Sequence, residues 1–582
     1  MYDYLIRGGN LIDGSGSPGR QADIAISGDR IAAIGESISP DEAKRVINAE
    51  GKVVCPGFVD PHTHYDAQLF WDPYATPSSL HGVTSVIAGN CGFTLAPVEP
   101  EDADYLRRMM VKVEGMPLTA LEQGLPWDWR TFGEYLSRLD GKLGVNVAFL
   151  VGHSALRRRV MGADSVGNEA TEEQVDEMCK LLEESIEAGG IGFSTSLAYT
   201  HDDGDGQPVP SRFAANSEVV ALSRTAGTHE GTTLEIIVDG CMDRFSEDEL
   251  SLLSEMSSEA NRPINWNVLT VDSAHRERVE SQVEASARVA EAGGRLVALT
   301  MPILVGMNMS FGFYCALNRL PKWDSIVSLP LDERVEKLRD PEVRKFLYEQ
   351  SQLPEAGVFL RLTNWSTYTI GDTYASENEA LSGRTVGEIA RERGGSGEGQ
   401  NAFDTLCDIV VADGGRTILW PHPTDDDDSS WQMRSELWVE DDILIGGSDA
   451  GAHLDRMCGA PYTSQWLGDT IRGRKQLSLE KAVQLITDRP ARLFGLRDRG
   501  RLEEGWFADV VVFDPETIDS GPLRMADDLP GGTSRLYSEA EGIDIIFCNG
   551  EPIVEGGESC ENLPGLVLKS GSHTETVTAR QA

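Results

Sequence analysis

The sequence predicts an α/β protein: a (β/α)8 TIM barrel with a small β-sandwich formed by the N- and C-terminal segments. Three observations predict it. Apolar strand-like stretches alternate with helical ones from about residue 57 to 495, the order that places a parallel sheet inside a ring of helices. Segments of β texture bracket that middle on both sides. Asp60-Pro61-His62-Thr63-His64 at one end of the middle and Gly447-Ser448-Asp449-Ala450 at the other share one site only if the chain curls round to meet itself, as a barrel does.

In chain order, Tyr4–Gly9, Ala22–Ile26 and Arg30–Gly35 alternate apolar with polar or small residues and read as short strands. The same texture returns in Gly505–Asp514 and Ile545–Gly550. Residues 1–56 and 496–565 are therefore expected to form one composite sandwich. Within 57–495, barrel strands are expected to end in Val53–His64, Ser85–Cys91, Val145–His153, Gly192–Thr200, Thr232–Asp239, Ile264–Thr270, Arg295–Met301 and Ile443–Asp449. Val358–Leu362 or Thr417–Trp420 equally supplies a late strand. Glu172–Ala188 and Ala274–Ala292 carry helical spacing with charged outer faces. The stretch from about 305 to 356 is too long for a simple loop and is expected to be an inserted helical element or lid. The polar tail, 566–582, is expected to be disordered.

With 94 acidic against 51 basic side chains, the net charge is −43. That balance excludes nucleic acid and anionic membrane as expected partners. The 9 cysteines are scattered without close pairs and suggest no disulfide framework. No basic leader with a long apolar core is seen at the N-terminus, and no apolar run reaches the roughly 18 residues of a membrane span. A cytoplasmic location is the default expectation.

His62 and His64 are spaced i, i+2, so a strand puts both imidazoles on one face, a geometry that suits one metal ion. Asp449, leaving a much later strand, closes that site as ligand or as general base. Asp60 is read as an outer carboxylate orienting an imidazole, or as a strand-end cap. His153 and His201 end apolar strands at the expected barrel mouth, and His453 lies four residues after Asp449. The methionine-rich stretch Met301–Tyr314 is read as core or as an adaptable wall for a bulky hydrophobic substrate, with Met307, Met309 and Phe311 as contacts. Arg157-Arg158-Arg159 is an exposed helix face or a phosphate contact. His81, His229, His275, His422 and His573 are read as structural or surface residues.

Asp60-Pro61-His62-Thr63-His64, Gly89-Asn90-Cys91-Gly92, Gly447-Ser448-Asp449 and the closing Arg499–Asp509 together resemble the amidohydrolase superfamily, within it the D-aminoacylase (N-acyl-D-amino-acid deacylase) branch. The resemblance covers nearly the whole chain. It implies a metal-bearing barrel with His62, His64 and Asp449 as ligands, Asp449 as ligand or base, and Cys91 as a ligand rather than a small buried hydrophobe. The chain also departs from that branch, which carries histidines at the ends of the fifth and sixth barrel strands. Thr232–Asp239 and Pro263–Leu269 contain none. Glu235, His153, His201 and His453 are the candidate replacement ligands, and His201 a candidate catalytic group.

These departures resemble a subgroup that includes a nonheme diiron monooxygenase of platensimycin and platencin biosynthesis. The resulting expectation is a diiron monooxygenase with two iron ions. It would hydroxylate a hydrophobic terpenoid or acyl substrate carried as a coenzyme A thioester, with dioxygen as co-substrate. The alternative is a hydrolase of a C–N bond in an N-acyl amino acid or cyclic amide, with one or two zinc ions. Further copies of the same chain are the expected protein partner.

Overall fold

The computed structural model describes residues 1–313 and 315–579. Eight parallel strands among them form the barrel: Phe58–Asp60, Val83–Ala88, Asn146–Phe149 continuing into Val151–Gly152, Gly192–Ser196, Thr233–Ile237, Ile264–Trp266, Leu296–Thr300 and Ile443–Ile445. Each pairs with the next in chain order. The third strand shifts partners at Leu150 and joins the two halves of the sheet. The seam between first and last strands is closed just beyond their ends. There Asp449 N–H donates to the His62 carbonyl at 3.2 Å, and His64 N–H to the Ala450 carbonyl at 2.7 Å. Closure thus occurs at His62, His64 and Asp449, the candidate ligands.

The outer helices follow their sequence signals. Glu172–Glu187 starts at a Thr171/Gln174 capping box and buries Met178, Leu182, Ser185 and Ile186 along one face. Arg276–Glu291 buries Val279, Gln282, Ala285, Ser286 and Val289.

The terminal segments form one hydrogen-bonded sheet of nine described strands, drawn from Tyr2–Pro56 and Val510–Ser559. Strand alternation sorts its faces. Val510 and Val512 join Ile6, Ile24, Ile26 and Phe547 in a small separate core, whereas Val511 and Phe513 pack into the main core.

Three expectations are corrected. The insertion between the last two barrel strands is larger than 305–356. Its own apolar core runs from Met309 to Leu419 around Trp323, Trp365 and Phe403. Neither late-strand candidate enters the barrel: Pro354–Leu362 is a 3-10 helix and Leu419–Trp420 pairs with Thr369–Ile370 in a two-stranded sheet. The tail is ordered through residue 579. Val567–Leu568 pairs with the third barrel strand, and Thr574 Oγ1 donates to the Gly231 carbonyl at 2.6 Å; residues 580–582 lie outside the described residues. Apolar side chains at Val567 and Leu568 drive that docking. Among the described residues, no helix is long and apolar enough to cross a membrane.

Candidate metal centre

His62 and His64 follow the first barrel strand, Cys91 the second, Asp449 the eighth, and Glu235 lies within the fifth. All but Asp449 are buried. Cys91, Asp449 and His453 have φ of 56°, 58° and 51°, a left-handed backbone that non-glycine residues adopt at a cost and that collects at functional sites. Two glycines allow the close approach. A Cβ on Gly451 would lie 2.6 Å from the His64 carbonyl carbon, and one on Gly92 would lie 3.0 Å from Thr195 Cα.

The donor atoms converge on one another. His62 Nε2 is 3.6 Å from both Cys91 Sγ and Asp449 Oδ1. His64 Nε2 is 3.0 Å from Asp449 Oδ1. Ligands at about 2.0–2.3 Å from a tetrahedral ion stand about 3.3–3.8 Å apart, so the His62 contacts suit a shared ion better than a hydrogen bond. His62, His64 and Cys91 form one set of atoms able to hold a metal; His64, Glu114 and Asp449 form another.

Electrostatics agree. Burial pushes the Glu235 carboxyl up to about 8 and the Cys91 thiol well above its usual range, with Glu235 adding to the latter. Burial lowers His62. For His64 burial opposes the charge, yet Glu114 and Asp449 hold its pKa up to about 10. Burial likewise opposes ionisation of Asp449, but hydrogen bonds from His453, His62 and His64 hold it well below the usual carboxylate range. Acidic donors kept protonated by burial, beside imidazoles, are what a cation would ionise and bind.

Three other candidates border this cluster. His453 Nε2 is 3.3 Å from Asp449 Oδ2, and its Nδ1 is 2.9 Å from Arg456 Nη2. His201 bonds Ser196 Oγ through Nδ1 at 2.7 Å and packs on Phe93. Burial, reinforced by His453, lowers its pKa to about 3, so it is neutral at the edge of the cluster. Glu235 Oε2 accepts the Cys91 N–H at 2.8 Å and Oε1 is 3.9 Å from Sγ. Glu235 and Asn267 thus stand on the fifth strand and after the sixth, the strands expected to carry histidines; the Asn267–Val268 peptide is cis.

His153 is not brought to the cluster. Its Nδ1 bonds Thr195 Oγ1 and its Nε2 bonds Glu218, both at 2.8 Å. Asp60 does not touch an imidazole: it accepts from His62 N–H at 3.4 Å and from Ser448 Oγ, tying the first strand to the last. Met309 and Phe311 belong to the core of the insertion, while Met307 lines the cavity above the donors. Arg157, Arg158 and Arg159 are committed to Glu218, Asp102 and Glu99, so no phosphate contact remains there.

That cavity measures about 740 Å³ and is walled by Val268, Met301, Leu304, Met307, Trp420 and Leu523, with His62, Asp449 and His453 at the metal-site side. His422, read from the sequence as structural, also lines it. Two residues were missed altogether. Asn267 lies beside Cys91. Glu114, whose Oε1 is 3.5 Å from His64 Nδ1, arrives from outside the barrel strands and carried no local signal.

The sequence model of the amidohydrolase family matches residues 45–538. The chain belongs to the amidohydrolase family. A D-aminoacylase of Alcaligenes xylosoxydans xylosoxydans is 30% identical over 567 residues, covering 95% of this chain and 94% of its own. An N-acyl-D-glutamate deacylase of the same organism is 29% identical over 595 residues, covering 97% and 96%. Among solved structures, a D-aminoacylase described by its binuclear metal centre superposes with a TM-score of 0.61 at 26% identity, covering 98% of this chain and all of that one.

These relatives overturn the diiron monooxygenase expectation: the two named enzymes similar over nearly the full length are a D-aminoacylase and an N-acyl-D-glutamate deacylase. Two iron ions, dioxygen and a coenzyme A thioester find no support beside it, and the hydrolase alternative is the better reading.

Proposed function

We propose that the protein is a metal-dependent hydrolase of amide bonds acting on N-acyl amino acids. The observation that carries this reading is the convergence of His62, His64, Cys91 and Asp449 at the edge of one apolar cavity. Similarity over nearly the full length to a D-aminoacylase and an N-acyl-D-glutamate deacylase supports this reaction class. Zinc suits a donor set of imidazole, thiolate and carboxylate.

His62, His64, Cys91 and Asp449 would hold the ion, with Glu235 a further carboxylate beside Cys91. A bound ion would polarise the scissile carbonyl and lower the pKa of water. Asp449 Oδ2, hydrogen-bonded to His453 Nε2, takes the proton of the attacking water and returns it to the leaving nitrogen. His201, neutral and anchored on Ser196, offers its remaining nitrogen to the substrate carbonyl. Val268, Met301, Leu304 and Trp420 exclude water from the acyl group or an apolar amino-acid side chain.

The test is release of free amine from N-acyl-D- and N-acyl-L-amino acids by zinc-loaded protein, without oxygen. Turnover that disappears in His62→Ala supports the reading. No turnover on any N-acyl amino acid or cyclic amide, with zinc bound, overturns it.

A further inference from the structure

Glu114 is the C-cap of helix Ala103–Val113, which lies in the excursion between the second and third barrel strands. It is buried, at 2% exposure, and it meets the metal centre twice. Its main-chain carbonyl accepts the N–H of His453. Its side-chain Oε1 stands 3.5 Å from His64 Nδ1. The turn that follows depends on glycine: Gly115 has φ of +61°, and a Cβ there would lie 2.0 Å from Arg456 Nη2, the group bonded to His453.

His64 thus lies between two carboxylates. Nε2 faces Asp449 at 3.0 Å and Nδ1 faces Glu114. Among the described residues, neither His64 Nδ1 nor His62 Nδ1 has a hydrogen-bond partner within normal distance. A metal-bound imidazole is neutral, so when one nitrogen takes the ion the other keeps the proton and needs an acceptor. For His64 the acidic group beside that second nitrogen is Glu114.

We propose that Glu114 is the positioning residue of the metal centre: it accepts the Nδ1 proton of His64, fixes the tautomer that leaves Nε2 for the ion, and locks the ring in place. A helix outside the barrel strands thereby ties the first strand to the loop after the last. The inference rests on the metal-centre half of the proposed function and not on the substrate.

The experiment is zinc and cobalt(II) binding to metal-stripped full-length protein, by competition with a chromophoric chelator. Wild type, Glu114→Ala, Glu114→Gln and His64→Ala are compared, with unfolding of each metal-free form. Removing such an outer carboxylate weakens metal binding by about 10–100-fold. Glu114→Ala is expected to show that loss with unchanged stoichiometry at saturation and near wild-type metal-free stability. Glu114→Gln, whose carbonyl oxygen accepts the same proton, is expected to stay within a few-fold of wild type and keep its cobalt spectrum.

Wild-type affinity in Glu114→Ala overturns the assignment while leaving the proposed function intact. Loss of a whole metal equivalent overturns it too, because Glu114 would then be a ligand. A wild type that binds no metal overturns both readings.

Discussion

Replacing His153 by alanine separates an imidazole that supports the barrel from one that binds metal. The ring is fully buried and bonds Thr195 Oγ1 and Glu218 Oε1, each at 2.8 Å. Losing the neutral bond costs about 1 kcal/mol and the bond to the carboxylate about 2 kcal/mol. The hole left against Phe193, whose ring centroid is 5.2 Å away, adds about 1 kcal/mol or more. Glu218 keeps Arg157, so no buried charge is left alone and the larger penalty of a broken ion pair is avoided. The sum is about 4 kcal/mol. Urea unfolding of the metal-free full chain, followed by tryptophan fluorescence, reads that loss, and chelator competition reads metal affinity in the same preparation. The expected variant is much less stable yet binds metal as wild type does. A variant of wild-type stability that has lost a metal equivalent would refute the reasoning and return His153 to the metal centre.

His62→Ala and His64→Ala are each expected to lower metal content while the metal-free protein stays folded; elemental analysis after dialysis against a chelator checks it. His81 gives a pH dependence: burial lowers its pKa from 6.5 to about 4, Nε2 donates to the Ser538 carbonyl and Nδ1 accepts from Ser464. The unfolded chain takes up this proton from pH 6.5 downward and the folded protein only near 4. Stability therefore falls across that window by up to about 3 kcal/mol, and His81→Gln should flatten that part of the curve from denaturant titrations at several pH values. Trp323→Ala removes a fully buried indole that stacks on Trp365 with ring centroids 5.5 Å apart and bonds the Leu347 carbonyl. It should weaken the insertion by about 3–5 kcal/mol, read as protease cleavage within 301–442 while the barrel fragments persist.

Much of the fold was legible because its signals are local. Strand and helix periodicities in 57–495 reflect which side of each element faces the core, and the eight expected barrel strands hold. The i, i+2 spacing of His62 and His64 marked the pair, although both lie in the turn after the strand Phe58–Asp60, and Asp449 followed from closure of the barrel. The size of the insertion was not legible, because the core of Trp323, Trp365 and Phe403 joins residues far apart in sequence. The docking of Val567–Leu568 depends on a partner strand more than 400 residues earlier.

The site divides in the same way. The sequence by itself supplied the candidates: the imidazole pair by its i, i+2 spacing, Asp449 by barrel closure, and Cys91 by the family resemblance; each lies in the turn just after a barrel strand. His153 and His201 carry the same signal, a histidine at the end of an apolar strand. Only the tertiary structure decided that Glu218 and Thr195 capture one while the other reaches the rim beside His453. Only it brought Glu114 from a distant helix to His64, and put Met309 and Phe311 into the core of the insertion while Met307 faces the cavity. Periodicity reports which face of an element is buried. What lies against that face depends on chain crossings and loop lengths, and those are settled only when the whole chain packs.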